Sequence, residues 1–297
     1  MTASDQRQIG PRVAGAPISW GVCEVPGWGH QLSAERVMAE MEGLGLTATE
    51  FGPDGFLPED PVTRRDFLQT YGLQAVGGFL PVVLHDPDRD PMAAVDAFIE
   101  GCLVTGAEVV VLAAATGVDG YDERPLLDDL QWKTLLGNLD RIAARACERG
   151  VLAVIHPHMG TLVESAEHVQ RVVDGAHIGF CIDTGHLAAA GADPVAITLD
   201  NVERVRHVHL KDVDARKAAQ VVAQEISFSE AVADGMWRVL GTGDVDIRAM
   251  LEALRAAGYG GWYVLEQDVM FKDGEPEGEG PVADVRASLE YVRAVLA

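Results

Sequence analysis

The sequence alternates between short apolar segments and longer amphipathic segments along nearly its whole length. Eight apolar segments have the length of a buried strand, and each precedes a segment with helical periodicity. Consecutive strand–helix units of this kind are typical of a parallel sheet covered by helices. We predict strands at residues 17–22, 48–51, 74–84, 108–115, 152–158, 178–183, 205–211 and 261–266.

Eight such units within 297 residues fit a closed barrel better than an open sheet. A doubly wound dinucleotide-binding fold is disfavoured, because no Gly-x-Gly-x-x-Gly follows the first predicted strand. The pattern therefore predicts an α/β fold, a (β/α)8 TIM barrel, that forms a single domain over residues 1–297. Residues 213–246, after the seventh strand, are longer than a usual loop, and we expect them to form a partial lid.

Composition excludes several classes of function. The formal net charge is −23, and a surface of this sign repels nucleic-acid phosphates. No segment approaches the ~20 consecutive apolar residues that span a bilayer. The first eight residues lack the apolar core of a signal peptide, and the four cysteines show no CxxC spacing. We therefore expect a cytoplasmic protein with reduced thiols that binds neither nucleic acid nor membranes.

Four of the predicted strands end abruptly in imidazole or carboxylate side chains. The residues at these ends are His156, Asp183, His209 and Glu266. The active site of a (β/α)8 barrel lies at the carboxyl ends of its strands, so we expect these side chains to converge. Their mixed nitrogen and oxygen donors suit Mn²⁺, Co²⁺, Fe²⁺ or Zn²⁺ better than Ca²⁺. The sequence therefore predicts a metal centre at this face of the barrel.

Further polar residues at the same strand ends are candidates for supporting the ligands or for acid–base chemistry. They are His158, His186, His207, Lys211, Asp212 and Asp268. Side chains two residues apart on a strand face the same way, so we expect His207 and His209 to share one side.

Each of these positions also has a purely structural interpretation. A lone histidine at a strand end is more often a hydrogen-bonded core residue than a metal ligand. Asp212 could cap a turn instead of contacting a substrate. Trp20, Trp28 and Trp237 could belong to the core rather than to the wall of a binding site.

Several motifs resemble the xylose-isomerase-like barrel superfamily, which includes sugar isomerases, epimerases and endonuclease IV. The motifs are Ile-Asp183-Thr-Gly-His186, His207-Val-His209-Leu-Lys211-Asp212, Leu240-Gly-Thr-Gly-Asp244 and Gly261-Trp-Tyr-Val-Leu-Glu266-Gln-Asp268. Within the superfamily the chain is most similar to the myo-inosose-2 dehydratase family. That similarity lies in Ala16-Pro-Ile-Ser-Trp20-Gly, Glu50-Phe-Gly-Pro-Asp-Gly-Phe-Leu-Pro58 and His156-Pro-His158-Met-Gly-Thr161.

The resemblance implies a single Mn²⁺ or Co²⁺ ion at the four predicted ligands, with Zn²⁺, Fe²⁺ and Mg²⁺ as alternatives. Many isomerases and epimerases of the superfamily carry Glu where this chain has His156. In those enzymes two glutamates flank the substrate carbon and exchange its proton. His156 removes one member of the pair, which favours one-sided proton abstraction followed by loss of hydroxide.

We therefore expect a metal-dependent dehydratase, a carbon–oxygen lyase of inositol and carbohydrate catabolism, acting on a polyol ketone such as an inosose. The α-proton is abstracted and the β-hydroxide eliminated through a metal-stabilised enediolate. The expected catalytic residues are Glu266, Lys211 and His158, and their order as base and acid stays open. The expected substrate-binding residues are Trp20, Glu50, His186, Asp212 and Trp237.

Three other functions compete with this prediction. An isomerase or epimerase of keto-sugars would use the same metal site. A DNA-repair nuclease would need more ligands and a basic groove, which the charge of −23 opposes. A non-catalytic binding protein would not need a complete ligand set. The expected partner is a small polyol or keto-sugar, and the chain could form a homodimer or homotetramer.

Overall fold

The computed structural model describes residues 11–118, 120–123 and 125–297. A parallel sheet of nine strand segments curves into a barrel, and helices connect and cover the strands. The predicted (β/α)8 TIM barrel is confirmed. Residues 1–10, on which the expected absence of a signal peptide depends, lie outside the described residues.

The strand segments follow the predicted alternation with helices. The barrel segments are β1 Arg12–Gly15, β2 Ala48–Thr49, β3 Gln74–Ala75, β4 Gly77–Val82, β5 Val109–Ala114, β6 Leu152–Ile155, β7 Gly179–Asp183, β8 Val205–Leu210 and β11 Trp262–Leu265. Two further strands, β9 Asp212–Val213 and β10 Trp237–Arg238, form a separate antiparallel ladder.

The third barrel strand consists of two halves, β3 and β4, which close the barrel. β3 pairs with β2 and β4 pairs with β5, and only Val76 lies between the halves. The Val76 amide donates to the carbonyl of Thr49 at 2.9 Å, and its carbonyl accepts from the Val109 amide at 3.1 Å. With β11 paired to β1, eight strands therefore surround one interior.

The first strand lies earlier in the chain than predicted. We expected it at residues 17–22, but it is β1, and Pro17–Trp20 forms a short 3₁₀ helix. Pro17 has no amide hydrogen to donate to a sheet, and Gly21, with a φ of 76°, ends the helix in the left-handed region. The shift moves Trp20 away from the end of the strand.

The helices cover the outside of the barrel and include those in the segment after β8. They are α1 Ala34–Gly43, α2 Pro61–Thr70, α3 Met92–Thr105, α4 Asp129–Glu148, α5 Ala166–Gly175, α6 Thr184–Ala189, α7 Pro194–Asp200, α8 Ala215–Val222, α9 Phe228–Ala233, α10 Ile247–Ala256 and α11 Val282–Leu296. Side-chain caps begin three of them, since Ser33, Asp60 and Asp193 each accept backbone amides of the first turn. Among the described residues, no helix combines the length and apolar character needed to cross a membrane.

Residues 213–246 are not a bare loop, because they contain α8, α9 and β10. Phe228, Met236 and Trp237 from this segment form a buried cluster with Trp28 and Met159 from the barrel loops. The Trp28 and Phe228 rings lie 6.4 Å apart. The segment therefore packs on the carboxyl end of the barrel.

Candidate metal centre and active site

The four predicted metal ligands all lie at carboxyl ends of barrel strands. His156 follows β6, Asp183 ends β7, His209 is the penultimate residue of β8, and Glu266 follows β11. One ligand atom from each residue lies within 4.8 Å of the ligand atoms of the other three. Three of the side chains are fully buried, and that of Glu266 is 13% exposed. The barrel thus brings the whole predicted set together.

Three of these ligands have one polar atom bonded elsewhere and another that faces the centre of the group. His156 Nδ1 donates to the backbone carbonyl of the next residue at 3.0 Å. Asp183 Oδ1 accepts from the amide of His186 at 2.8 Å, and His209 Nε2 lies 3.1 Å from Glu50 Oε1. The atoms left over are His156 Nε2, Asp183 Oδ2 and His209 Nδ1. The two imidazole nitrogens each lie 3.8 Å from Asp183 Oδ2.

The donor atoms fit a divalent cation. Asp183 Oδ2 is buried and has no hydrogen-bond partner among the described residues, which is costly unless a bound group satisfies it. Burial raises the pKa of Asp183 to about 7, although the charge of Lys211 opposes the rise. Burial also lowers the pKa of His156 well below its ordinary value, which keeps the imidazole neutral, as a metal ligand must be.

Two neighbouring groups of ligating side chains fit a metal less well. They are His156, His158 and His186, and Cys181, His207 and His209. The first group has no carboxylate, and the rings of His158 and His186 stack with centroids 3.7 Å apart. In the second group there is no carboxylate, and His207 Nε2 is already bonded to Glu50.

A cavity of about 1020 Å³ opens at the carboxyl end of the barrel above these ligands. Its polar lining includes the side chains of His156, His158, Lys211, Glu266 and Asp268. Its aromatic lining comprises Trp28, Phe51, Phe56, Phe79, Phe98, Tyr121 and Phe228. The arrangement provides a polar floor with apolar walls, which is the usual composition of a small-molecule site.

Lys211 is a buried cation at the floor of this cavity. Its Nζ lies 2.6 Å from Asp268 Oδ1, 3.2 Å from Glu266 Oε2 and 3.0 Å from His186 Nε2. Burial opposes its charge, but Asp268, Glu266 and Asp183 outweigh burial and raise the pKa of Lys211 well above its ordinary value. Lys211 is therefore an ammonium group that faces Glu266.

His158 is a neutral imidazole on the wall of the same cavity. Its Nδ1 donates to the carbonyl of Met159 at 2.7 Å, which leaves Nε2 as an acceptor. Burial lowers the pKa of His158 to about 3, with the charge of Lys211 acting in the same direction. The Tyr121 ring covers it at 4.8 Å.

His186 and Trp237, predicted to bind substrate, lie behind the cavity rather than in its lining. The His186 ring stacks on His158 and bonds Lys211. The Trp237 ring lies 4.9 Å from Lys211 Nζ and 5.0 Å from the His186 ring. The two residues therefore contact the candidate catalytic groups but do not line the cavity that would hold the substrate.

Trp20 and Asp212 were also predicted to bind substrate, and the structure places both outside the cavity lining. Trp20 is fully buried, and its Nε1 donates to Glu40 Oε2 at 2.8 Å, because the shifted first strand turns the indole toward α1. Asp212 accepts four backbone amides from its own loop and residues 241–245. The role of Asp212 here is to hold that loop, which agrees with the structural alternative considered for it.

Glu50 borders the cavity as predicted, but its carboxylate is bonded to histidines rather than free for a substrate hydroxyl. Its Oε1 lies 2.8 Å from His207 Nε2 and 3.1 Å from His209 Nε2, so these two histidines share one side of β8 as expected. Burial opposes ionisation of Glu50, but His209 and His207 outweigh it and lower the pKa of Glu50 to about 2.

Sequence reasoning did not single out Phe79 and Tyr121, which cover His158 at 5.6 and 4.8 Å. Both lie where the chain offers no motif, and only the closed barrel brings them to the site. Asp268, by contrast, was among the residues expected to support the ligands or to act in acid–base chemistry. Its distance of 2.6 Å from Lys211 makes it part of the site.

This geometry defines a class: a (β/α)8 barrel with a mixed histidine and carboxylate centre at the carboxyl ends of its strands. A family model described as "Xylose isomerase-like TIM barrel" matches residues 38–295. The chain belongs to this family.

Curated relatives extend over nearly the whole chain. The inosose dehydratase of Geobacillus thermodenitrificans (strain NG80-2) is 31% identical over 289 residues, which cover 94% of this chain and 95% of that protein. The rhizopine catabolism protein MocC of Rhizobium meliloti is 35% identical over 271 residues, which cover 86% of this chain and 81% of that protein.

Solved structures show the same fold at low identity. The structure of L-ribulose 3-epimerase aligns with a TM-score of 0.69 at 15% identity and covers 96% of this chain and 94% of its own. The IOLI protein, solved with a bound zinc atom, aligns with a TM-score of 0.67 at 16% identity. The alignment covers 96% of this chain and 98% of that protein. The predicted similarity to inosose dehydratases is confirmed, and so is the prediction of an enzyme.

Proposed function

We propose that the chain is a metal-dependent dehydratase that removes water from a polyol ketone such as an inosose. The observation that carries the proposal is the convergence of four ligand atoms within 4.8 Å, beside a cavity of about 1020 Å³ that His156 and Glu266 line. The relatives named inosose dehydratase support the substrate class, because the similarity extends over 94% of this chain.

His156, Asp183, His209 and Glu266 would hold one divalent ion. Mn²⁺ and Co²⁺ suit two imidazoles and two carboxylates well. Zn²⁺ is an alternative because the IOLI protein was solved with zinc, and Fe²⁺ and Mg²⁺ are others. When bound, the ion would polarise the substrate carbonyl and stabilise the negative charge that develops next to it.

Glu266 is the proposed base, since it is the carboxylate of the group that borders the cavity. Burial opposes its charge, but His209 and Lys211 outweigh burial and hold the pKa of Glu266 well below its ordinary value. The carboxylate is therefore ionised and in a position to accept the proton from the carbon next to the substrate carbonyl.

Lys211 and His158 are proposed to act on the departing hydroxyl. Lys211 Nζ lies 3.2 Å from Glu266 Oε2, so base and acid border the same part of the cavity. The ammonium would donate a proton to the hydroxyl as its carbon–oxygen bond breaks, and water would leave. His158 Nε2, which is neutral and faces the same space, would accept a hydrogen bond and orient that hydroxyl.

The aromatic side chains would limit the access of water to the reacting carbons. Phe79 and Tyr121 cover His158, and the Phe228 ring lies 5.5 Å from that of Tyr121. Phe228 belongs to residues 213–246, which we propose as the partial lid of the site.

The test is an assay of metal-stripped protein, reloaded with Mn²⁺ or Co²⁺, on inososes and keto-hexoses. We expect metal-dependent formation of an absorbing dione whose mass is lower by one water. Lys211→Met should reduce kcat/KM by at least ~10²-fold, because the acid is lost. Lys217→Met is the matched control, since Lys217 pairs with Asp234 at 2.8 Å outside the cavity lining, and it should keep wild-type activity.

Two results would overturn the proposal. Metal-dependent turnover without a change in mass would identify an isomerase or epimerase instead. Turnover of inososes that is indifferent to metal removal would exclude the metal-dependent reaction.

A further inference from the structure

A buried carboxylate on the far side of His209 has no step in the proposed reaction. Glu50 follows β2, and its side chain is 4% exposed inside the barrel. Its Oε1 atom lies between two imidazoles, 2.8 Å from His207 Nε2 and 3.1 Å from His209 Nε2. Burying a carboxylate charge beside these two imidazoles costs free energy, and such a cost is expected where the carboxylate has a function.

The contact with Glu50 fixes the tautomer of His209. A carboxylate oxygen can only accept, so His209 Nε2 must carry the hydrogen and cannot bind a metal. Nδ1 is then the nitrogen that can offer a lone pair to an ion, and it has no hydrogen-bond partner among the described residues. That atom is the one that lies 2.9 Å from Glu266 Oε2 and 3.8 Å from Asp183 Oδ2. The nitrogen that Glu50 leaves free is thus the nitrogen that faces the other ligands.

His207 holds Glu50 in this position. Its Nε2 donates to the same carboxylate oxygen, and its side chain is fully buried. His207 and His209 lie two residues apart on β8, so the strand presents both rings to one carboxylate. That carboxylate comes from the end of β2, and β1 and β11 lie between the two strands in the sheet. The ring centroids are 5.2 Å apart and nearly perpendicular, at 75°.

We propose that Glu50 is a positioning residue of the metal centre, which makes His209 an Nδ1 ligand, and that His207 anchors Glu50 for this purpose. The inference rests on the metal centre proposed above. Carboxylates that bond the second nitrogen of a metal-bound histidine orient the ring and raise its basicity, and their loss usually weakens metal binding 10- to 100-fold.

The test compares metal affinity and histidine tautomer in three variants. Glu50→Gln keeps the size and one acceptor oxygen but removes the charge, and Glu50→Leu removes both. Glu40→Gln is the matched control, because Glu40 also accepts from an aromatic ring nitrogen, that of Trp20, away from the ligands. Co²⁺ dissociation constants would come from competition with a chelator, and tautomers from nitrogen-15 shifts of the histidine rings in zinc-loaded protein.

We expect Co²⁺ to bind about 10- to 100-fold more weakly to both Glu50 variants and unchanged to Glu40→Gln. In the wild type His209 should show the Nε2–H form, and Glu50→Leu should shift it toward a mixture of forms. If Glu50→Leu does not fold, the Glu50→Gln affinity decides the matter.

The two proposals fail in different ways. A wild-type protein that binds no divalent ion would overturn the proposed function together with this inference. A wild type that binds Co²⁺, with Glu50 variants of equal affinity and an unchanged His209 tautomer, would overturn the role of Glu50 alone.

Discussion

Individual carboxylates in this protein take their roles from the donors around them rather than from their position at a strand end. Asp183 and Asp212 both end apolar runs. Asp183 keeps one oxygen without a partner among the described residues, beside three other ligands. Asp212 uses both oxygens, Oδ1 for the amides of Val213 and Val245 and Oδ2 for those of Gly241 and Gly243. The first is available to a cation and the second is not.

Asp212→Ala should therefore destabilise the protein without removing the metal site. Four buried or half-buried amides would lose their acceptor, and we expect a loss of about 2–4 kcal/mol in the free energy of unfolding, measured by urea denaturation. Asp244→Ala is the control in the same segment, because Asp244 accepts a single amide, that of Ala215. If Asp212→Ala instead kept normal stability and raised the KM for the ketone substrate, Asp212 would bind substrate, as the sequence predicted.

Among the elements, the third barrel strand determines whether the sheet can close. Gly77 starts β4 with a φ of 155°, directly after the break at Val76. A Cβ atom at this position would lie 1.9 Å from the carbonyl oxygen of Val109 on β5. The close approach of the two strands therefore requires glycine, and the break lets one strand pair with β2 on one side and β5 on the other.

Gly77→Ala should disrupt this junction, because the clash involves backbone that cannot move without unpairing β4 and β5. We expect the free energy of unfolding to fall by more than about 3 kcal/mol, or folded protein to fail to accumulate. Circular dichroism and urea unfolding would measure both outcomes. Gly101→Ala is the matched substitution, since a Cβ there meets no atom within 4 Å on helix α3. It should be neutral or stabilising by up to about 1 kcal/mol, and equal effects of the two substitutions would contradict the proposed constraint.

Across the whole molecule, the proposed metal centre joins strands that are distant in sequence. Its four ligands come from β6, β7, β8 and the end of β11, and Glu50 adds the end of β2. Without a cation, the buried carboxylates Asp183 and Glu266 share the charge of Lys211, whose Nζ lies 3.7 and 3.2 Å from them. An ion bound by these strands should stabilise the native state as a unit, because the unfolded chain offers no preformed site.

Saturation with Mn²⁺ or Co²⁺ should raise the melting temperature of the metal-stripped protein. At a free ion concentration 100 times Kd the stabilisation is about 2.7 kcal/mol, which corresponds to a rise of roughly 4 °C for a chain of this length. Asp183→Ala should abolish the rise, and Glu40→Gln should keep it. If the melting temperature of the wild type did not change when the ion is added, the four residues would not act as one metal centre.

The sequence by itself was enough to predict the barrel and the candidate ligand set. Alternating apolar and amphipathic segments are local patterns, and they sufficed for the order of strands and helices. The ligands His156, Asp183, His209 and Glu266 followed from polar residues at strand ends, because a parallel barrel brings all such ends to one face.

Tertiary structure alone decided what each polar atom bonds. The contact of Glu50 with His209 spans 159 residues, and that of Trp20 with Glu40 depends on where the first strand ends. No pattern in the sequence predicts either contact. The partner of a side chain across the barrel depends on strand register and on barrel closure, and not on its neighbours in the chain. The chain therefore specified which residues meet at the site, and the closed barrel specified which of their atoms remain free for a ligand.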